Sequence, residues 1–120
     1  MLENEDQPIR EMPLCMETIQ RLAMFGITFK IEFYAAGFQT EIHIRPDDIP
    51  RFLDHAPLFV ASYFGVTLEQ YYDWLETDGY PRCSARIGTD RPCKRPVLGV
   101  QCGPKEWALR DGGLCEFHRH

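Results

Sequence analysis

Six side chains toward the C-terminus have the chemistry to share an ion: Cys83, Cys93, Cys102, Cys115, His118 and His120. They account for four of the chain's five cysteines and two of its four histidines. Thiolate and imidazole are donors that Zn(II) accepts, four at a time, in a tetrahedron. Cys115-x-x-His118 has the compact spacing by which one turn presents two ligands to the same ion, and Gly112-Gly113 just before it lets that turn form. The other half of such a site stays open. Nine residues separate Cys83 from Cys93 and eight more separate Cys93 from Cys102, with no C-x-x-C pair among them. Reduced free thiols and a single opportunistic disulfide are the competing readings.

The segment that carries these donors needs outside help to fold. From Tyr80 onward no periodic stretch runs longer than a few residues, and Pro92, Pro96, Pro104 and five glycines favour turns. Such a segment cannot order itself by apolar burial alone, whereas a structural zinc site supplies on the order of 10 kcal/mol. Catalytic zinc is not expected. Neither H-E-x-x-H nor H-x-E with P-C-x-x-C occurs, and three thiolates with one imidazole leave no coordination position open for water.

Cys83-x-Ala85 with Gly88, then Cys93-Lys94-Arg95-Pro96, then Gly113-Leu114-Cys115-x-x-His118, resembles small zinc-binding modules of phage and mobile-element proteins. These read approximately C-x-A, glycine, C-[KR]-[KR], C-x-x-H. The resemblance covers about a third of the chain, residues 83 to 118. Carried over position by position, it implies Cys83, Cys93, Cys115 and His118 as ligands of a structural Zn(II). The chain departs from the pattern in the 21 residues between Cys93 and Cys115, which contain Cys102 and Trp107. Cys102 then either replaces Cys93, serves a second ion or stands by.

The residues before the tail read as an α+β body. Residues 1 to 12 are too polar to pack and are expected to form a loose arm. Cys15, Ile19, Leu22 and Ala23 recur at helical spacing up to Gly26, and Cys15 on that stripe reads as a small buried hydrophobe. The period then changes to two. Ile27, Phe29, Ile31, Phe33 and Ala35 alternate with polar residues, Gly37 permits a tight turn, and Phe38, Thr40, Ile42 and Ile44 alternate again. This is an antiparallel hairpin whose apolar face needs covering, since two strands alone are marginal in water. The following stripe of Ile49, Leu53, Ala56, Val60 and Phe64 supplies helical cover, capped by Asp47 or Asp48 and broken near Ala56 by Pro57. Thr67 and Gln70 form a capping box for a further helix carrying Leu68, Tyr71, Tyr72 and Leu75. The expected fold is an N-terminal helix, a β-hairpin and two or three helices, followed by a loop-rich C-terminal zinc knuckle.

Charge divides the chain in the same place. Residues 1 to 79 hold five Lys/Arg against fourteen Asp/Glu, a balance of -9, while residues 80 to 120 hold eight against four, a balance of +4. An acidic body (1–79) and a basic Cys/His tail (80–120) are therefore expected, joined near Asp78-Gly79-Tyr80-Pro81. No eighteen-residue apolar run is present, and the opening MLENEDQPIREM lacks the pattern of a secretory signal, so a reducing cytoplasmic setting and no membrane are expected.

No catalytic constellation stands out. His43 falls on the polar side of its strand and His55 beside the Pro57 break, where surface or capping roles suffice. Phe59, Tyr63, Phe64, Tyr71, Tyr72 and Trp74 read as core, with Tyr72 and Trp74 also able to reach the surface and anchor a partner. The expectation is a non-catalytic protein that recognises a protein or nucleoprotein partner. Its acidic body resembles small phage inhibitors of the anti-CRISPR kind, which approach basic grooves, and this implies an inhibitor of a host or defence complex. The alternative is a nucleic-acid-binding regulator that presents Arg82, Arg86, Arg91, Lys94, Arg95 and Arg110 to phosphate.

Overall fold

The structure, a computed structural model, describes residues 14–88 and 91–119. The expected N-terminal arm lies outside them. The fold is α+β. Helix α1 (Met16–Met24) leads into β1 (Phe29–Ala35) and β2 (Phe38–Ile44), then a 3₁₀ turn (Pro46–Asp48) and helices α2 (Ile49–Asp54), α3 (Ala56–Phe64) and α4 (Leu68–Glu76). The tail adds β3 (Arg86–Ile87), β4 (Arg91–Pro92) and α5 (Pro104–Arg110). No described helix is long and apolar enough to cross a membrane.

Alternation along the two strands sets the hairpin, which pairs antiparallel from Phe29↔Ile44 to Ala35↔Phe38. Its two-residue turn uses Ala36 (φ 51°) as well as Gly37 (φ 74°), so both central residues take the left-handed form whose twist matches the strands. One face carries Phe29, Ile31, Phe33, Phe38, Ile42 and Ile44 into the core, and the helices cover it.

Proline divides the helical cover. The chain breaks at His55 (φ −154°), Pro57 occupies the first turn of α3, and the His55 Nδ1 accepts the Leu58 amide 3.2 Å away. Neither Asp47 nor Asp48 caps α2 through its side chain, because the 3₁₀ turn runs directly into that helix. Helix α4 begins with the expected reciprocal box, Gln70 N–H to Thr67 Oγ1 at 3.0 Å and Thr67 N–H to Gln70 Oε1 at 2.9 Å.

Two sequence expectations fail here. Cys15 is exposed at the start of α1, and that helix fully buries none of its residues, Ile19 and Ala23 of its stripe being only half-buried. Tyr63 and Tyr72, read as core, are each 47% exposed, whereas Trp74 is core as expected. It is fully buried, with Phe33 stacked at 6.0 Å, Phe38 edge-on at 6.2 Å and Tyr71 tilted at 6.0 Å.

The tail joins the same core. Cys102 and Trp107 are buried in one cluster with Ile42, Phe59, Tyr71 and Trp74, and Leu98 and Ala108 pack against it. Helix α5 went unread in the sequence because its seven residues bring only two buried positions, Pro104 and Trp107. The junction is tight. A Cβ on Gly79 (φ +83°) would lie 2.7 Å from the Ala36 carbonyl, so the hairpin turn and the end of α4 approach as closely as only glycine allows.

Candidate metal centre

Four donors from three separate stretches of the tail converge. Cys83 ends the extended segment that follows the junction, Cys93 follows β4, and Cys115 and His118 share a final turn. Backbone pairing brings the stretches into register: the Cys83 N–H donates to the Arg95 carbonyl at 2.8 Å, the Cys93 N–H to Ala85 at 2.6 Å and the Ser84 N–H to Gly113 at 2.8 Å. Lys94 takes φ 60°, which turns the chain sharply after Cys93. In the last stretch the His118 N–H returns to the Cys115 carbonyl at 3.0 Å, closing the turn that the C-x-x-H spacing predicts.

The ligand atoms of Cys83, Cys93, Cys115 and His118 all lie within 4.8 Å of one another. The Cys93 and Cys115 sulfurs are 3.8 Å apart, and the His118 Nδ1 stands 3.4 Å from both Cys83 and Cys115 sulfurs. A tetrahedron with ordinary zinc bond lengths has S···S edges of about 3.8 Å and S···N edges of about 3.5 Å. The arrangement is therefore compatible with one four-coordinate ion. Cys83 and Cys115 are buried while Cys93 and His118 are half-buried, so the cluster sits at the surface of the fold with its inner side closed.

Electrostatics prepares one ligand in particular. Burial alone would push the Cys83 thiol up, but the backbone N–H groups of Cys115 and Ala85 point at its sulfur and, with His118, lower it to about 6. The Ala85 N–H lies 3.4 Å from that sulfur. Cys93 moves the other way, raised first by burial and then by the neighbouring sulfurs of Cys115 and Cys83, which an ion would neutralise.

The remaining candidates fall elsewhere. Cys102 lies in the hydrophobic core, its thiol raised by burial and its carbonyl accepting the Trp74 indole N–H at 2.7 Å. It belongs to the packing and stands outside the four-donor set. His120 lies outside the described residues. His43 is exposed, 3.7 Å from Glu41. His55 lines a cleft of about 220 Å³ with Arg51, Asp54 and Ser62. Its Nδ1 is committed to the Leu58 amide, and no hydrogen bond joins its ring to Asp54 or Ser62.

The cations of the tail are not equivalent. Arg82 forms a two-pronged pair with Asp111 (Nε to Oδ1 3.0 Å, Nη2 to Oδ2 2.8 Å), lies 3.7 Å from Asp73 and covers the Trp107 ring at 5.4 Å. Arg110 pairs with Glu106 at 2.9 Å. Both are structural contacts between parts of this chain. Arg91, Lys94, Arg95 and Arg119 are exposed and make no ion pair with any described residue. Sequence reasoning passed over Phe117, which is 61% exposed between two ligands and stacks under the Arg95 guanidinium at 4.5 Å. An aromatic residue inside a C-x-x-H turn was the available signal.

No protein-family model matches the chain, and neither the curated proteins nor the solved structures contain a match.

Proposed function

We propose that this protein is a non-catalytic recognition module whose C-terminal surface is clamped by one structural Zn(II) held by Cys83, Cys93, Cys115 and His118. The observation that carries the reading is the set of four protein donors whose ligand atoms all lie within 4.8 Å of one another, three of the separations being 3.4, 3.8 and 3.4 Å. Three thiolates and an imidazole fill the coordination sphere, so the ion would fasten three stretches of loop and leave no site for a reacting water. Soft sulfur donors favour zinc over the hard, oxygen-seeking cations. A reducing compartment, the cytosol for preference, keeps these thiols available.

The partner is proposed to be a protein or nucleoprotein. An acidic body, the exposed Leu22, Met24 and Phe25 at the end of α1 and a basic, aromatic knuckle give the chain surfaces of contrasting chemistry. The resemblance of the tail to phage and mobile-element zinc modules extends the reading to inhibition of a host or defence complex. Elemental analysis of purified protein should give one zinc per chain, and capture of a partner should survive nuclease treatment. Protein free of metal at neutral pH, with its thiols intact, would end this reading.

A second reading, a small nucleic-acid-binding regulator, draws on the exposed Arg91, Lys94, Arg95 and Arg119. It calls for a salt-dependent gel shift that is lost on replacing Arg86 and Arg95.

A further inference from the structure

Beside the metal centre the surface opens into a cleft of about 400 Å³. Half-buried Val97 and Leu98 contribute an apolar floor, Arg95 and Arg119 bring two guanidinium groups, and the Phe117 ring lies under the first of these. Cys115 lines it too, so one wall of the cleft is the turn that carries two of the four metal ligands.

We infer that this cleft is a docking site for a short acidic peptide segment of a protein partner, an apolar side chain seated on Val97 and Leu98 with flanking carboxylates on Arg95 and Arg119. The inference rests on the zinc reading above, because the Cys115–His118 turn carries Phe117 and precedes Arg119. Three features select this occupant. The arginines have no acidic partner among the described residues, and a guanidinium fork suits a carboxylate. The floor is hydrocarbon, which rewards a buried leucine or phenylalanine and offers nothing to a phosphate. Glu116 also lines the cleft, and the chain as a whole carries -5, so a polyanion running past the cleft meets more repulsion than a short segment with two carboxylates.

The Arg95–Phe117 stack gives the site its selectivity. The ring holds the guanidinium over the cleft at little entropic cost, so a carboxylate meets a donor already oriented. An apolar peptide with lysines in place of the acids would set cation against cation.

The test uses the full chain with its metal content measured on each sample, and a fluorescein-labelled peptide in which Leu-Phe is flanked by single aspartates. Anisotropy should show saturable binding to the metal-loaded protein, weakened by about tenfold or more in Phe117→Ala and in Arg95→Glu, and abolished by chelation or by lysine in place of the aspartates. Neither substitution touches a ligand side chain, so both variants should keep their zinc. A metal-loaded protein that ignores the peptide, binds the lysine version equally, or binds an oligothymidylate more tightly overturns the docking site while the metal centre stands. A protein that holds no metal overturns the centre and the wall it supports together.

Discussion

The indole N–H of Trp74 donates to the carbonyl of Cys102 across 2.7 Å, joining α4 to the middle of the tail inside the hydrophobic core. The Cys102 amide in turn donates to the Gly79 carbonyl at 2.8 Å, and the Gln101 side chain reaches the Asp78 carbonyl at 2.9 Å. The tail is thus joined to the body by packing around residue 102, while its own loops converge on the four donors around residue 115. Each of the two has its own experimental signature.

Truncation after Gly79 removes Cys102 and Trp107 from the core and leaves the Trp74 indole without its acceptor. The fragment should lose cooperative unfolding and show red-shifted tryptophan emission. The milder Trp74→Phe in the full chain should cost about 1–3 kcal/mol in denaturant titration, since it leaves the buried Cys102 carbonyl unpaired. A fragment 1–79 that melts like the intact protein would show the body to be self-sufficient.

The two buried cysteines closest in chemistry should separate by metal content. Cys115→Ser should release the ion and open residues 80 to 119 to protease, while Cys102→Ala should keep one ion per chain and lose about 1 kcal/mol through a small core cavity. Equal metal loss in both would contradict the assignment.

Acid should release the ion in a defined direction. The Cys83 thiol is lowered to about 6 from a usual value near 9, so its thiolate is the favoured folded form. The stability it contributes to the metal-free fold is complete above the unfolded value and fades as pH falls through about 6. Metal retention, which needs the thiolate, should fall in the same direction, as a chromophoric chelator titrated from pH 8 downward would report.

A second acid-sensitive element is independent of the metal. Burial pushes the Asp111 carboxyl up, but the Arg82 side chain and amide outweigh this and hold it below the ordinary value. Its contribution is present at neutral pH and disappears only as pH falls through that lowered value. Asp111→Asn should therefore cost about 1–3 kcal/mol at pH 7, and the difference from the parent protein should shrink in strong acid.

Gly79→Ala meets two obstacles, a left-handed φ of +83° and the Ala36 carbonyl 2.7 Å from the new methyl. Thermal unfolding should register a loss of about 1–3 kcal/mol, larger than at Gly26, where the same φ class has open space around it.

Local chemistry was the legible part of this sequence. Strict alternation in Phe29–Ala35 and Phe38–Ile44 dictated the hairpin, and Thr67 with Gln70 dictated the start of α4, because both signals act within a few residues. Cys115 and His118 were paired for the same reason. What stayed hidden depended on distant partners. Nothing near Cys102 says that it is buried in the core cluster and stands outside the four-donor set, and nothing near Cys15 says that its helix buries no residue fully. Arg82 looked like its basic neighbours until Asp111, 29 residues on, was seen to hold it.

The order of residues along the chain gives the Trp74 to Cys102 bond a temporal meaning. A nascent polypeptide emerging from its N-terminal side must carry the indole with no acceptor until 28 further residues have followed. Cys115 and His118 come later still, so the four-donor set is complete only after the native acceptor for Trp74 has been made. A cation bound by that set would act as a latch on the last-made part of the described chain.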